Sequence, residues 1–188
     1  MKTPANYFAE PFSFSVDNYH RMAETGILSE DDRVELLYGQ IIPMSPIGKF
    51  HNACVNRLTQ LMTLLMHGRA IVQIQGPVVI GDRSEPEPDV AILQPRDDFY
   101  AAGLPTAADA MLLIEVADSS LEKDKHLKLP LYAAAGIPEL WLVDLTRSKV
   151  MVFTQPTEDG YTVLNEFDRN QDIHSPFVGA IPAVQVLG

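Results

Sequence analysis

Among 188 residues there is a single cysteine, Cys54, so no intramolecular disulfide can form and no zinc site can be built from thiolates. No apolar run approaches the roughly 18 residues that would span a bilayer. The opening MKTPANYFAEPF has neither the apolar stretch nor the small-residue cleavage site of a secretory signal. The expectation is a protein of the reducing cytoplasm with no membrane attachment. Positive charge is scarce too: 14 Lys and Arg stand against 25 Asp and Glu, a net charge of −11 at pH 7. The deficit runs through the whole chain, with 7 basic and 11 acidic residues in 1–94, and 7 and 14 in 95–188. There is no basic tail or arm of the kind that grips nucleic acid through its phosphates. Repeats and low-complexity tracts are also missing, which leaves Gly and Pro as the punctuation.

What the chain does have is a hydrophobic fraction of 46%. A protein of this length should bury roughly 70% of its extended surface and needs no staple to fold. One domain over 1–188 is expected, with a core at about 50–145, an N-terminal helix and hairpin at 12–45, and a C-terminal hairpin and tail at 146–188. Ser15 caps a short helix that ends near Gly26. VELLYGQIIPM reads as a hairpin turning at Tyr38-Gly39. Phe50, Cys54, Leu58, Leu61 and Leu65 recur on one helical face, up to a stop at Gly68. AIVQIQ, PVVI, DVAIL, MLLIEV and LWLVD are strand-like, and MLLIEV is apolar enough for a central strand covered on both sides. LEKDKHLKLPLYAAAG is helical in composition, but Pro130 interrupts it, so a kink or a regular helix starting near Lys128 is expected. KVMVF and an edge strand GYTVL follow. From residue 50 the order is helix, three strands, helix, strand: an α/β sandwich built on a mixed sheet.

Three polar residues stand where packing alone would not put them. Asp89 opens an apolar strand, Glu115 interrupts MLLIEV near its end, and Lys128 lies thirteen residues further on. An acid inside an apolar strand is costly unless it is paired or binds a cation. Two carboxylates at the ends of neighbouring strands offer the hard oxygen ligands that suit Mg²⁺ or Mn²⁺. A lysine beside them can offset charge on a reacting phosphate.

These residues lie in VELLYGQIIPMSP, His51, EPDVAIL and LLIEVADSSLEKDKHLKLPLYAAAGIPELWLVD, and this combination resembles the bacterial family of putative restriction endonucleases often called Uma-two. The resemblance covers about residues 12–165 and is most specific from Glu115 to Asp144. It implies a PD-(D/E)XK nuclease core, restriction-endonuclease-like, with an added N-terminal helix and hairpin. Pro88-Asp89 matches the PD pair, which makes Asp89 a metal ligand. Glu115 would be the second carboxylate, and the backbone carbonyl of Val116 would complete the site. Ala117 stands where the common motif has lysine. The family's lysine then corresponds to Lys128, with Lys125 as competitor and Asp124 four residues before Lys128 as its partner on one helical face. Glu35 matches a further acidic position, and His51 is an additional candidate.

The plainer readings are that Glu85, Glu87 and Asp89 form a solvated acidic loop, and that Lys123, Lys125 and Lys128 are a helix's outer face. Cys54, Trp141 and Tyr132 read as packing residues, and Asp144 as the cap of the turn at Thr146 and Arg147. The function implied is a Mg²⁺- or Mn²⁺-dependent endonuclease acting on DNA. The alternative is a non-catalytic binding or assembly module that keeps the fold. DNA would be held weakly and with strong salt dependence, and a homodimer or a basic partner protein is compatible with that weakness.

Overall fold

The computed structural model describes residues 11–29, 31–118 and 121–188. The first ten residues, Glu30 of the segment SEDD, which reads as a turn before the hairpin, and Ser119 and Ser120 lie outside that range. Helix α1 (Val16–Glu24) begins at Ser15, whose side chain accepts from the Asn18 amide while Asn18 reaches back to the Ser15 amide. Strands β1 (Val34–Leu37) and β2 (Gln40–Pro43) form the expected hairpin. Its turn residues Tyr38 and Gly39 both have positive φ, 52° and 75°, the primed turn whose twist suits paired strands.

Helix α2 (Lys49–Met66) ends as Gly68 takes φ +69°. Its buried face is Cys54, Val55, Leu58, Met62 and Met66, which corrects the expectation at one end. Phe50, in the first turn, is 63% exposed, because the sheet lies under the later turns of the helix.

Strands β3 (Ile71–Ile74), β4 (Val90–Leu93), β5 (Ala110–Ala117), β6 (Glu139–Asp144), β7 (Lys149–Thr157) and β8 (Gly160–Asp168) form one mixed sheet in sequence order. Only β5 and β6 run parallel. The expected PVVI strand does not join the sheet: Val79 and Ile80 make single bridges to Thr106 and Ser84 instead. Pro77 supplies no amide, and the amides of Val78, Val79 and Ile80 are taken by the Pro86, Pro105 and Ser84 carbonyls.

Side chains alternate across a strand, so the sheet has two apolar faces. Val90, Ile92, Leu112, Ile114, Val116, Trp141 and Val143 meet α2 and the tail, which contributes Ile173, Ile181 and Val186. Ala91, Leu93, Leu113, Ala117, Leu140 and Leu142 meet Leu131, Tyr132 and Ile137 on the other side. The tail is a hairpin of β9 (Asp172–Ser175) and β10 (Gly179–Pro182) followed by α5 (Val184–Leu187). Among the described residues no helix is long and apolar enough to cross a membrane.

The connection from β5 to β6 has three pieces: α3 (Leu121–Lys123), a π-helical turn (Asp124–Lys128) and α4 (Leu129–Ala134). Pro130 sits in the first turn of α4, where a missing amide costs little. The wide turn directly precedes it, with the Leu129 amide reaching back five residues to the Asp124 carbonyl.

Two outcomes check this packing. Cys54 is fully buried, its Sγ 3.4 Å from the Val186 carbonyl, and burial pushes the thiol up to about 11. Aromatic disulfide reagents at pH 8 should leave it untouched in the native chain and modify it fully in denaturant. Glu139 is buried with one oxygen on the Trp141 indole and the other unpartnered, and burial raises its pKa. A raised folded pKa means a stability penalty that is full above that value and vanishes below the ordinary 4.5. Glu139→Gln should therefore raise the melting temperature at pH 8, and the gain should shrink as the pH falls toward 4.5.

Candidate active site

Continuing the β4–β5 register one residue past the Val90–Ile114 pair sets Asp89 opposite Glu115. Both residues border a cavity of about 100 Å³, room for a few waters or one phosphate group. The walls are Arg33 and Glu35 from the first hairpin, Gly48 and His51 at the start of α2, Gln75 after β3, Glu87 and Asp89 before β4, Val116 and Asp118 at the end of β5, and Lys123, Asp124 and Lys128. Asp89, Glu115, Val116 and Lys128 thus converge, and so do Glu35, His51 and Asp124. Lys125 does not line the cavity, which leaves Lys128 as the inward lysine.

Lys128 is buried among acceptors. Its Nζ lies 3.0 Å from Glu35 Oε2, 3.1 Å from Glu115 Oε1 and 3.4 Å from the Glu87 carbonyl. The ion pairs of Lys128 go to Glu35 and Glu115, and Asp124, expected as its partner on one helical face, adds to the negative field around it. Burial works against the ammonium, but Glu115, Glu35 and Asp124 prevail and hold its pKa above the usual lysine value. Glu115 is lifted by desolvation to about 8, against the pull of Lys128, and its Oε1 also accepts from the Tyr132 hydroxyl at 2.6 Å.

Glu35 is fully buried and takes two lysines, Lys128 on one oxygen and Lys123 on the other at 2.9 Å. Burial pushes its carboxyl up, yet the two ammonium groups outweigh that and hold it below the ordinary value. Asp89 is oriented from three sides: His51 Nε2 at 3.1 Å, the Val116 amide at 2.8 Å and the Gln75 amide group at 3.2 Å. Against desolvation, the His51 contact and then the Val116 amide keep Asp89 a carboxylate. His51 is held up in turn by its bond to Asp89, and its Nδ1 is buried without a partner.

The solvated reading of the acidic loop fails at two points. Glu85 is buried and meets His20 of α1 at 2.6 Å, and Glu87 lines the cavity. Gln75, Glu87, Lys123, Tyr132 and Arg33 were not among the sequence candidates. Tyr132 follows Lys128 by four residues and Glu87 precedes Asp89 by two, spacings that put each pair on one face.

A family model described as "Putative restriction endonuclease" (Uma2) matches residues 16–181. The chain belongs to the Uma2 family. Its fold is similar to the crystal structure of a putative nuclease belonging to DUF820 from Anabaena variabilis ATCC 29413, with a TM-score of 0.71 and 16% identity, over 93% of this chain and 97% of that one. No curated protein matches the chain. The likeness to the solved structure carries the fold, which is restriction-endonuclease-like, and family and fold together point to a nuclease.

In this Uma2 chain Lys128 is the counter-charge for two buried acids. Lys128→Met should cost about 3–5 kcal/mol at neutral pH, because it leaves Glu115 without a cation and Glu35 with Lys123 alone. Urea denaturation measures this. A loss below about 1 kcal/mol would show that the ion pairs contribute little to folding.

Proposed function

We propose that this chain is a metal-dependent endonuclease that hydrolyses phosphodiester bonds in DNA, with Mg²⁺ or Mn²⁺ as its ion. The reading is carried by one observation: Asp89, Glu115 and Lys128 border a single cavity in which six acids face three lysine and arginine side chains. Such an excess in a site largely shielded from water is costly unless a cation shares it. The proposed ligands, the Asp89 and Glu115 carboxylates and the Val116 carbonyl, are all oxygen, the chemistry that Mg²⁺ and Mn²⁺ prefer. Among the described residues no three His, Cys, Asp or Glu side chains are gathered into a ready-made ligand group. Asp89 and Glu115 would therefore share an ion with the Val116 carbonyl and with water, in the way Mg²⁺ usually keeps part of its hydration.

When bound, the ion supplies polarisation of the phosphate and a lower pKa for the attacking water. The remaining work belongs to the chain. His51, Gln75 and the Val116 amide fix the Asp89 carboxylate before any ligand arrives. Glu35 and Glu115 hold the Lys128 ammonium at the cavity wall, where it can offset charge building on phosphate oxygens. Tyr132 fixes the Glu115 rotamer through its hydroxyl. DNA would be gripped weakly and with steep salt dependence, and a homodimer or a basic partner protein would make up the affinity.

A second reading, a binding or assembly module that keeps the nuclease fold, is favoured by the net charge of −11. Calorimetry separates the two. Asp89→Ala and Glu115→Ala should each abolish Mg²⁺-dependent cleavage of plasmid DNA while the protein stays folded, and the Mn²⁺ binding heat of the parent should vanish in Asp89→Ala. Failure of the metal-loaded parent to cut plasmid, single-stranded or branched DNA, with Mn²⁺ heats unchanged in the variants, would sink the nuclease reading.

A further inference from the structure

Of the three lysine and arginine side chains around the cavity, two are already engaged. Lys123 donates to Glu35 and to the Pro43 carbonyl, and Lys128 to Glu35, Glu115 and the Glu87 carbonyl. Arg33 alone makes no ion pair or side-chain hydrogen bond with any described residue, and it is exposed at the cavity's edge. Its backbone, by contrast, is tied down. The Arg33 carbonyl accepts from the Met44 amide at 2.9 Å, extending the β1–β2 ladder by one rung. On one side Asp32 is locked by the Ser29 amide and hydroxyl, at 2.7 and 2.9 Å. On the other, the Val34 carbonyl accepts from the Tyr19 hydroxyl of α1 at 2.9 Å.

Positions 33 and 35 lie two apart on an extended chain and therefore share a face. Glu35 fills the wall of the cavity, so Arg33 falls at its rim. A planar guanidinium with a free fork is the group best matched to a phosphate, which it can hold with two parallel hydrogen bonds. Apart from the pull of its charge on the Glu87 carboxyl, the head of Arg33 is tied to the fold by no hydrogen bond or ion pair with any described residue. An anionic strand descending toward Asp89 and Glu115 would meet this side chain first, and among the described residues at the cavity no other lysine or arginine is without an ion pair.

We propose that Arg33 binds a DNA backbone phosphate at the rim of the cavity, positioning the strand over Asp89 and Glu115. This inference rests on the nuclease reading. The test is fluorescence anisotropy of the full chain with a labelled 20-base-pair duplex, in Ca²⁺ in place of Mg²⁺ and over a salt series. Arg33→Ala should weaken binding about tenfold at low salt, as expected for one charge-assisted phosphate contact. The slope of log affinity against log salt should become shallower by about one. Arg33→Lys should keep the parent's slope and part of its affinity, because it retains the charge without the fork. Arg169→Ala, on the turn after β8, should match the parent, and all three variants should melt with it. A parent that binds while Arg33→Ala binds equally well with the same slope overturns the inference and leaves the nuclease reading standing. A parent that does not bind DNA even at low salt overturns both.

Discussion

The buried carboxylate of Glu35 and the two lysines that clasp it tie the parts of this molecule together. β1 carries Glu35, the turn after β5 carries Lys123 and Lys128, and β5 itself carries Glu115, so one cluster of charges fastens the added hairpin to the sheet. The bargain is an unusual one. Taking three or four ionised groups out of water costs several kcal/mol for each ion, and attraction returns that only when every oxygen and every ammonium proton finds a partner. Here the partners arrive from three separate stretches of chain. The cluster can therefore exist only in the folded molecule, and packing that displaces any one stretch exposes the others to the full cost. A hydrophobic plug of the same volume would hold the hairpin as well, which is why the charges themselves point to chemistry.

The central strands were legible because β4, β5 and β6 are short, nearly continuous apolar runs, covered on both faces of the sheet. Asp89 and Glu115 were legible for the same reason, as polar letters in apolar words. The partners of those residues were harder to read. Gln75 looked like the polar half of an alternating strand, Tyr132 like one more aromatic in a core helix, and Lys123 like solvated surface. Their roles arise from contacts across 14 to 88 positions of sequence, and no local pattern encodes such contacts. Phe50 misled in the opposite direction: it fits the helical period of α2, but it stands in the first turn, before the buried face begins at Cys54, so position along the helix decided its exposure. The PVVI segment has strand-like composition but bridges to a loop and a turn: its first residue, Pro77, has no amide to give, and the amides of Val78, Val79 and Ile80 go to the carbonyls of Pro86, Pro105 and Ser84.

Sequence spacing also hides the lysine. In a strand-borne motif a lysine two residues after the acid would point to the same side of the sheet as that acid, and Ala117 holds that place. The chain delivers the ammonium from the connection after β5, on a π turn that brings Asp124 and Lys128 to the cavity beside Lys123 of α3. Such widened turns recur at functional positions in helices. The distance between acid and lysine is set by how the helix packs on the sheet, through Leu131 and Tyr132, and no longer by the rise of one strand.

Helix α1 offers a last consequence. None of its residues is buried, and it is held by polar ties: Tyr19 to the Val34 carbonyl, His20 to Glu85, and the Val16 amide to the Asp82 carbonyl. An element fastened in this way contributes little to the core and opens at lower free energy than the sheet it leans on. Yet all three ties end on the strand and loop that carry Glu35, Glu87 and Asp89 into the cavity. Warming or mild denaturant would thus loosen the walls of the site while the sandwich beneath stays whole, so the working lifetime of this protein is set at its rim and not in its core.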